Sequence, residues 1–99
     1  MSEITRIVRL SFIPEKVGDF IAIFDTSKSL IRNFKGCKYL ALKQDLHHSN
    51  VYYTFSIWEN HEALEHYRQS ELFNNTWAKT KILFDAKPSA FSLVNPKFE

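Results

Sequence analysis

The feature that most constrains this chain is the way its hydrophobic period switches. Ile4, Val8, Leu10 and Phe12 share one parity, with Thr5, Arg9 and Ser11 on the other. That is the pattern of a half-buried strand over 4–12. From Pro14 the spacing changes, and Val17, Phe20, Ile21, Phe24, Ile31 and Phe34 recur at helical intervals to about residue 34. Period two returns over 37–46, where Leu40, Leu42 and Leu46 oppose Tyr39 and Ala41, and again over 51–58. The short polar loop at 47–50 makes those two segments a hairpin. A second helical region turns Ala63, Leu64 and Tyr67 inward over 61–69. It then carries Leu72, Phe73, Thr76, Trp77, Thr80, Leu83 and Phe84 in one wide stripe as far as Pro88. Residues 89–94 read as a last short strand.

The punctuation agrees with this division. Pro14 suits a first helical position, where its missing N–H costs nothing. Gly18 inside that helix costs about 1 kcal/mol relative to Ala, and the polar stretch 26–29 weakens its middle. Gly36 is a helix stop. Asn60 and Ser70 are N-cap residues, so a kink or restart is expected at Ser70. The order β-α-β-β-α-β is the split pattern of a ferredoxin-like α+β fold, with a four-stranded antiparallel sheet and its helices on one face. Right-handed crossovers leave few alternatives. The 99 residues form one domain with its core at about 4–94.

A sheet covered on one face by helices should be polar on the other if that face meets water. Here Val51, Tyr53, Phe55 and Ile57 share one parity, and Tyr52 and Trp58 the other. Phe91 and Leu93 alternate with Ala90 and Val94. A sheet apolar on both faces needs a second covering layer, and the chain has no residues left to build one. A second copy is the simplest cover, so a homodimer through the sheet faces is expected.

Charge and cysteine content narrow the function classes. The formal net charge is +2 with no basic block, so neither nucleic acid nor an anionic membrane is an expected partner. The single Cys37 cannot form an intrachain disulfide. The first residues lack a signal-peptide pattern, and no apolar run approaches the roughly 20 residues of a membrane span. A cytoplasmic location is the expectation.

Two runs carry a family resemblance. Lys35-Gly36-Cys37-Lys38-Tyr39, followed by Gln44-Asp45-Leu46, is similar to a pattern in which a helix ends at Gly-Cys before a strand and hairpin. Phe55-Ser56-Ile57-Trp58-Glu59-Asn60-His61-Glu62-Ala63-Leu64 resembles the strand, Trp-Glu-Ser, Glu-Ala-Leu signature of the antibiotic biosynthesis monooxygenase domain. Tyr67-Arg68-Gln69-Ser70 and then Phe73 fit its continuation. The resemblance covers about 4–94 and implies a dimeric α+β barrel, two ferredoxin-like sheets packed face to face. It also implies an active site between sheet and helices. The family includes cofactor-independent oxygenases of polyphenols, quinol oxygenases and heme-degrading enzymes.

On that resemblance Trp58 is the pocket Trp at the end of the third strand, able to hold an aromatic substrate by stacking; it also reads as a core Trp of the strand-to-helix corner. Tyr67, on the inner face of the second helix, can hydrogen-bond a phenol, unless a backbone carbonyl satisfies its hydroxyl. Trp77, Phe24 and Phe73 complete an aromatic lining for substrate. His66 is a candidate base at the pocket rim. Two departures argue against heme degradation. Trp77 stands near the iron-ligating His of heme-degrading relatives, and an indole N–H is only a donor. Val8 stands roughly where the first-strand Asn is found. That Asn is also a polar contact in oxygenases of the family, so its loss bears on oxygenation too.

No cofactor and no metal are expected. His61 and His66 are five apart, about 140° around a helix of roughly 3.6 residues per turn, and adjacent His47 and His48 point apart in extended chain. Neither a Gly-rich phosphate loop nor a nucleophile elbow is present. Cys37, at a strand start, reads as a small buried residue. Glu62, Glu65, Lys79 and Lys81 read as a solvated outer face. Three uses of the fold stand open: cofactor-independent oxygenation of a quinol or polyphenol, non-catalytic binding of a small hydrophobic or aromatic metabolite, and a structural dimer whose pocket is filled by its own side chains.

Overall fold

A computed structural model describes residues 2–98. The chain runs through β1 (Ile4–Ser11), a 3-10 turn (Pro14–Lys16), α1 (Val17–Arg32), β2 (Cys37–Gln44), β3 (Val51–Trp58), α2 (His61–Arg68), α3 (Glu71–Lys81) and β4 (Ser89–Leu93). The strands form one sheet in the order β2-β3-β1-β4, every pair antiparallel. This is the ferredoxin-like α+β arrangement, with β1 and β3 at the centre and three helices in place of two.

Local chemistry sets the element ends. Pro14 starts a single 3-10 turn, and the α-helix begins only at Val17. The polar middle of α1 does not break it, because Thr26 and Ser27 donate their hydroxyls back to the Ile23 carbonyl at 3.0 and 2.8 Å. Asn60 accepts from the Ala63 N–H at 2.8 Å and Ser70 from the Phe73 N–H at 3.1 Å. Both expected caps are thus formed, and the restart at Ser70 separates α2 from α3.

Two boundaries differ markedly from the sequence reading. β2 stops at Gln44, because the Asp45 carboxylate takes the N–H groups of His47 and His48 and folds the chain into a turn. Leu46 is left 89% exposed outside the strand. The last helix ends at Lys81, well before Pro88. Leu83 and Phe84 then reach the core from irregular chain: the Leu83 carbonyl accepts from the Ile13 N–H at 2.9 Å, and Phe84 bridges to Phe12. Asp85 accepts from the Ser11 hydroxyl at 2.6 Å and from Asn50 at 3.3 Å, which pins this segment to β1 and the hairpin.

The register decides which parity meets the helices. Ile4 lies opposite Trp58, Arg6 opposite Ser56 and Val8 opposite Thr54, and on the other edge Val8 lies opposite Ala90. These side chains share the helical face because direction alternates along a strand. The core on that face is split. Leu10, Phe12, Phe20 and Leu83 form one cluster, and Ile4, Trp58 and Leu64 form a second. The opposite face carries Ile7, Phe55, Tyr39, Phe91 and Leu93, and the last three are 48%, 55% and 48% exposed.

Gly36 joins α1 to the second cluster. Its φ is 90°, a region other residues rarely adopt, and a Cβ there would run into the Cβ of Ala63. Its carbonyl accepts from the Glu59 N–H at 2.9 Å. A residue without a side chain therefore lets α1 end against the β3–α2 corner.

Candidate functional site

Between the two core clusters the sheet and helices part to leave a cavity of about 330 Å³. It is lined by both clusters, with Leu10 and Phe20 from one and Trp58 and Leu64 from the other. This volume falls within the roughly 300–1,000 Å³ of small-molecule sites. The self-filled pocket weighed from the sequence is therefore not what the chain builds.

Trp58 is 1% exposed at the end of β3. Its indole N–H donates to the Ser56 hydroxyl at 3.0 Å, so the polar edge is satisfied and a ring wall faces the cavity. Tyr67, one helical face away on α2, stacks on it at 4.8 Å with the planes 24° apart. Phe73 meets Tyr67 edge-on at 5.3 Å and itself stacks on Trp77 at 5.8 Å. Phe24 closes the α1 side. Trp58, Tyr67, Trp77, Phe24 and Phe73 thus line one cavity. Val8 also lines it.

The backbone partner weighed for the Tyr67 hydroxyl is not formed: among the described residues it makes no hydrogen bond, and since no fully buried side-chain polar atom there lacks a partner, the hydroxyl reaches the open space of the cavity that Tyr67 lines. Burial holds its pKa well above the ordinary phenol value. The hydroxyl is therefore a donor, not a base, at any physiological pH.

His66 is the correction. It is exposed, packs edge-on against Phe34 at 5.7 Å, and borders a surface depression with Lys35, Glu59 and Glu62. One residue before Tyr67 on a helix, it is rotated about 100° from the inward face. It is not brought to the cavity as a rim base. Cys37 is half-buried, packs against the Trp58 cluster, and burial pushes its thiol pKa up, so a reactive thiolate is disfavoured. Among the described residues no group of three or more His, Cys, Asp or Glu could hold a metal.

Two charged residues of the lining are not among the site residues expected from the sequence. Arg6 sits on the helical face of β1, and Arg68 follows Tyr67 on α2. The signal for Arg6 was present in the sequence: it shares the parity of Ile4, Val8 and Leu10, where a charge breaks the apolar pattern. The remaining polar lining is hydroxyl groups, several already engaged; Ser27 donates to Ile23 and Thr80 to the Thr76 carbonyl at 2.7 Å. Among the described residues no carboxylate, imidazole or thiol lines the cavity.

Comparison with known proteins supports the same frame. The chain superposes with a TM-score of 0.90 on a candidate antibiotic biosynthesis monooxygenase of Caulobacter crescentus CB15, at 20% identity over 97% of this chain and 92% of that one. It superposes at 0.89 on the Rv0793 protein of Mycobacterium tuberculosis, with 20% identity over 97% of both chains. A conserved protein of Methanosarcina mazei Go1 gives 0.89 at 17% identity, over 94% of this chain and 92% of that one. At these identities the likeness speaks for the fold. No curated protein matches the sequence. No helix among the described residues is long and apolar enough to cross a membrane. The family model for antibiotic biosynthesis monooxygenases matches residues 3–79, more than half of the chain, and the protein belongs to that family.

Proposed function

We propose that this protein is a cofactor-independent monooxygenase of a small quinol or polyphenol, bound in the cavity between sheet and helices. The observation that carries the reading is the aromatic wall of Trp58, Tyr67, Phe73 and Trp77 around an open volume of about 330 Å³. Trp58 and Trp77 hold the substrate ring, and Tyr67 donates to a phenolic oxygen. The substrate anion is the electron source. In an anthrone-type phenol the ring methylene gives up its two hydrogens, and dioxygen supplies one oxygen atom to the new carbonyl and one to water; in a hydroquinone a ring C–H becomes C–OH as the ring is oxidised to a hydroxyquinone, and the second oxygen atom again leaves as water. No external reductant is consumed. Heme degradation is not proposed, since Trp77 offers no lone pair to iron.

The working unit in this reading is a homodimer closed through the outer sheet faces. Half-exposed Tyr39, Phe91 and Leu93 beside Ile7 and Phe55 support it, because an apolar sheet face of this kind lacks a covering layer in one chain.

A second reading is binding of an aromatic metabolite without turnover. It is favoured by the absence, among the described lining residues, of any carboxylate or imidazole to act as base. Oxygen uptake with anthrone-type phenols and hydroquinones tests the first reading. Uptake dependent on protein, and weakened in Trp58→Phe and Tyr67→Phe, is expected. Tight binding of the same compounds in native mass spectra with no product would leave only the second.

A further inference from the structure

We propose that Arg6 and Arg68 form an anion-binding mouth to the cavity, and that the natural ligand is an aromatic molecule carrying one anionic oxygen group, carboxylate or phenolate. This inference rests on the reading of the cavity as a ligand site, and holds whether or not the ligand is oxidised.

Arg6 is the only charged side chain that β1 turns toward the helices; Ile4, Val8 and Leu10 flank it on that face. A guanidinium remains protonated in proteins, so the positive charge is permanent. Among the described residues Arg6 forms no salt bridge. Its one side-chain partner is the Ser92 hydroxyl at 2.8 Å, a neutral group on β4. One of its five N–H donors is thus spent on a neutral acceptor, and the others meet no protein acceptor among the described residues.

Arg68 comes from α2 on the other side. It pairs with Glu65 at 3.1 Å, and both are partly exposed. Glu65 thus balances Arg68 at the rim, and it attracts Arg6 weakly. Burial, then repulsion by Arg68, shifts the Arg6 pKa downward, and Glu65 offsets this only in part. The lining itself holds two arginines and no acid.

An uncompensated, partly desolvated positive charge is costly unless a partner neutralises it. A carboxylate or phenolate oxygen at the mouth, with its ring against Trp58 and Tyr67, would do so. The same charge stabilises a substrate already ionised on arrival. That removes the need for a base in a cavity that has none.

The test is isothermal titration calorimetry of the full chain with three probes of one shape. These are 2-naphthoate, neutral 2-naphthamide, and 2-naphthol titrated through its own ionisation. One or both anions should bind at least about tenfold more tightly than 2-naphthamide, as a charge-assisted hydrogen bond supplies. Which anion gains distinguishes a carboxylic from a phenolic ligand. Arg6→Gln should remove most of that preference while 2-naphthamide affinity stays within about twofold. Arg6→Lys should restore part of it. Unchanged 2-naphthamide binding in Arg6→Gln also reports an intact fold, and the wild-type comparison stands even if the variant does not fold. Equal affinity for charged and neutral probes, or no binding of either anion, overturns the proposal. Dioxygen plays no part here, so anion preference without turnover would remove only the oxygenation reading.

Discussion

The Trp58 indole and the Tyr67 ring stack at 4.8 Å with their planes 24° apart, joining the end of β3 to the inner face of α2. This pair is both a core contact and a cavity wall, so its two roles must be separated by the size of the change. Tyr67→Phe keeps the stack and removes a hydroxyl with no protein partner among the described residues. Its effect on stability should stay within about 0.5 kcal/mol, while affinity for a phenolic probe falls. Tyr67→Ala opens the core and should cost about 3–5 kcal/mol. Urea denaturation and calorimetry on both variants check this; a large stability loss in Tyr67→Phe would mean the hydroxyl holds the fold.

Trp58 depends on Ser56 for its one polar group. Ser56→Ala strands a buried N–H and should cost about 1–3 kcal/mol. With Phe at position 58 there is no N–H to strand, so the same Ser56 change should cost markedly less. A double-mutant cycle measures the difference. Additive effects would mean that the Trp58–Ser56 hydrogen bond contributes nothing to stability.

Gly36 combines a positive φ with a side-chain-free approach to Ala63. Gly36→Ala should destabilise by about 1–3 kcal/mol from backbone strain, with the steric overlap added. Introducing Ala63→Gly beside it should recover the overlap but not the strain. Thermal denaturation of the single and double variants reads both parts, and a neutral Gly36→Ala would contradict the geometry.

The hairpin turn carries a pH signature. Asp45 has a pKa below the ordinary carboxylate value, chiefly because its oxygen accepts the His47 N–H, with His48 and Tyr53 adding to this. A lowered folded-state pKa contributes stability that is complete above the unfolded value. It is lost as pH falls through the folded one. Asp45→Asn should therefore reduce the dependence of stability on pH on the acid side, between about pH 5 and 2, and leave neutral pH nearly flat. Denaturation midpoints across that range supply the check; an unchanged acid profile in Asp45→Asn would refute the assignment.

The switches of period make every main element legible, because each depends on local spacing and caps that Asn60 and Ser70 supply directly. The ends are less legible where distant groups decide them. α3 stops at Lys81 because Leu83 and Phe84 are captured by β1, a tertiary contact that leaves no local mark. β2 stops at Gln44 because the Asp45 side chain competes for backbone N–H groups, a signal available in Asp-Leu-His-His but overruled there by the apolar Leu46. In the site, aromatic residues at helical and strand spacing converge as their parity requires. His66 stays off the rim because reaching it requires a rotation that Tyr67, its inward neighbour, forbids. Arg6 is hard to read because Ile4, Val8 and Leu10 define the buried parity without it, and only the cavity beside β1 gives a charge a place on that face.

In the proposed reaction the cavity brings an aromatic anion and dioxygen together. The most direct measurement is turnover of an anthrone-type phenol under isotope-labelled dioxygen, followed by mass spectrometry of the product. One labelled oxygen atom is expected in the new carbonyl group, at a rate that requires the protein and falls in Trp58→Phe. Product formed no faster than without protein, or carrying oxygen from water alone, would contradict it.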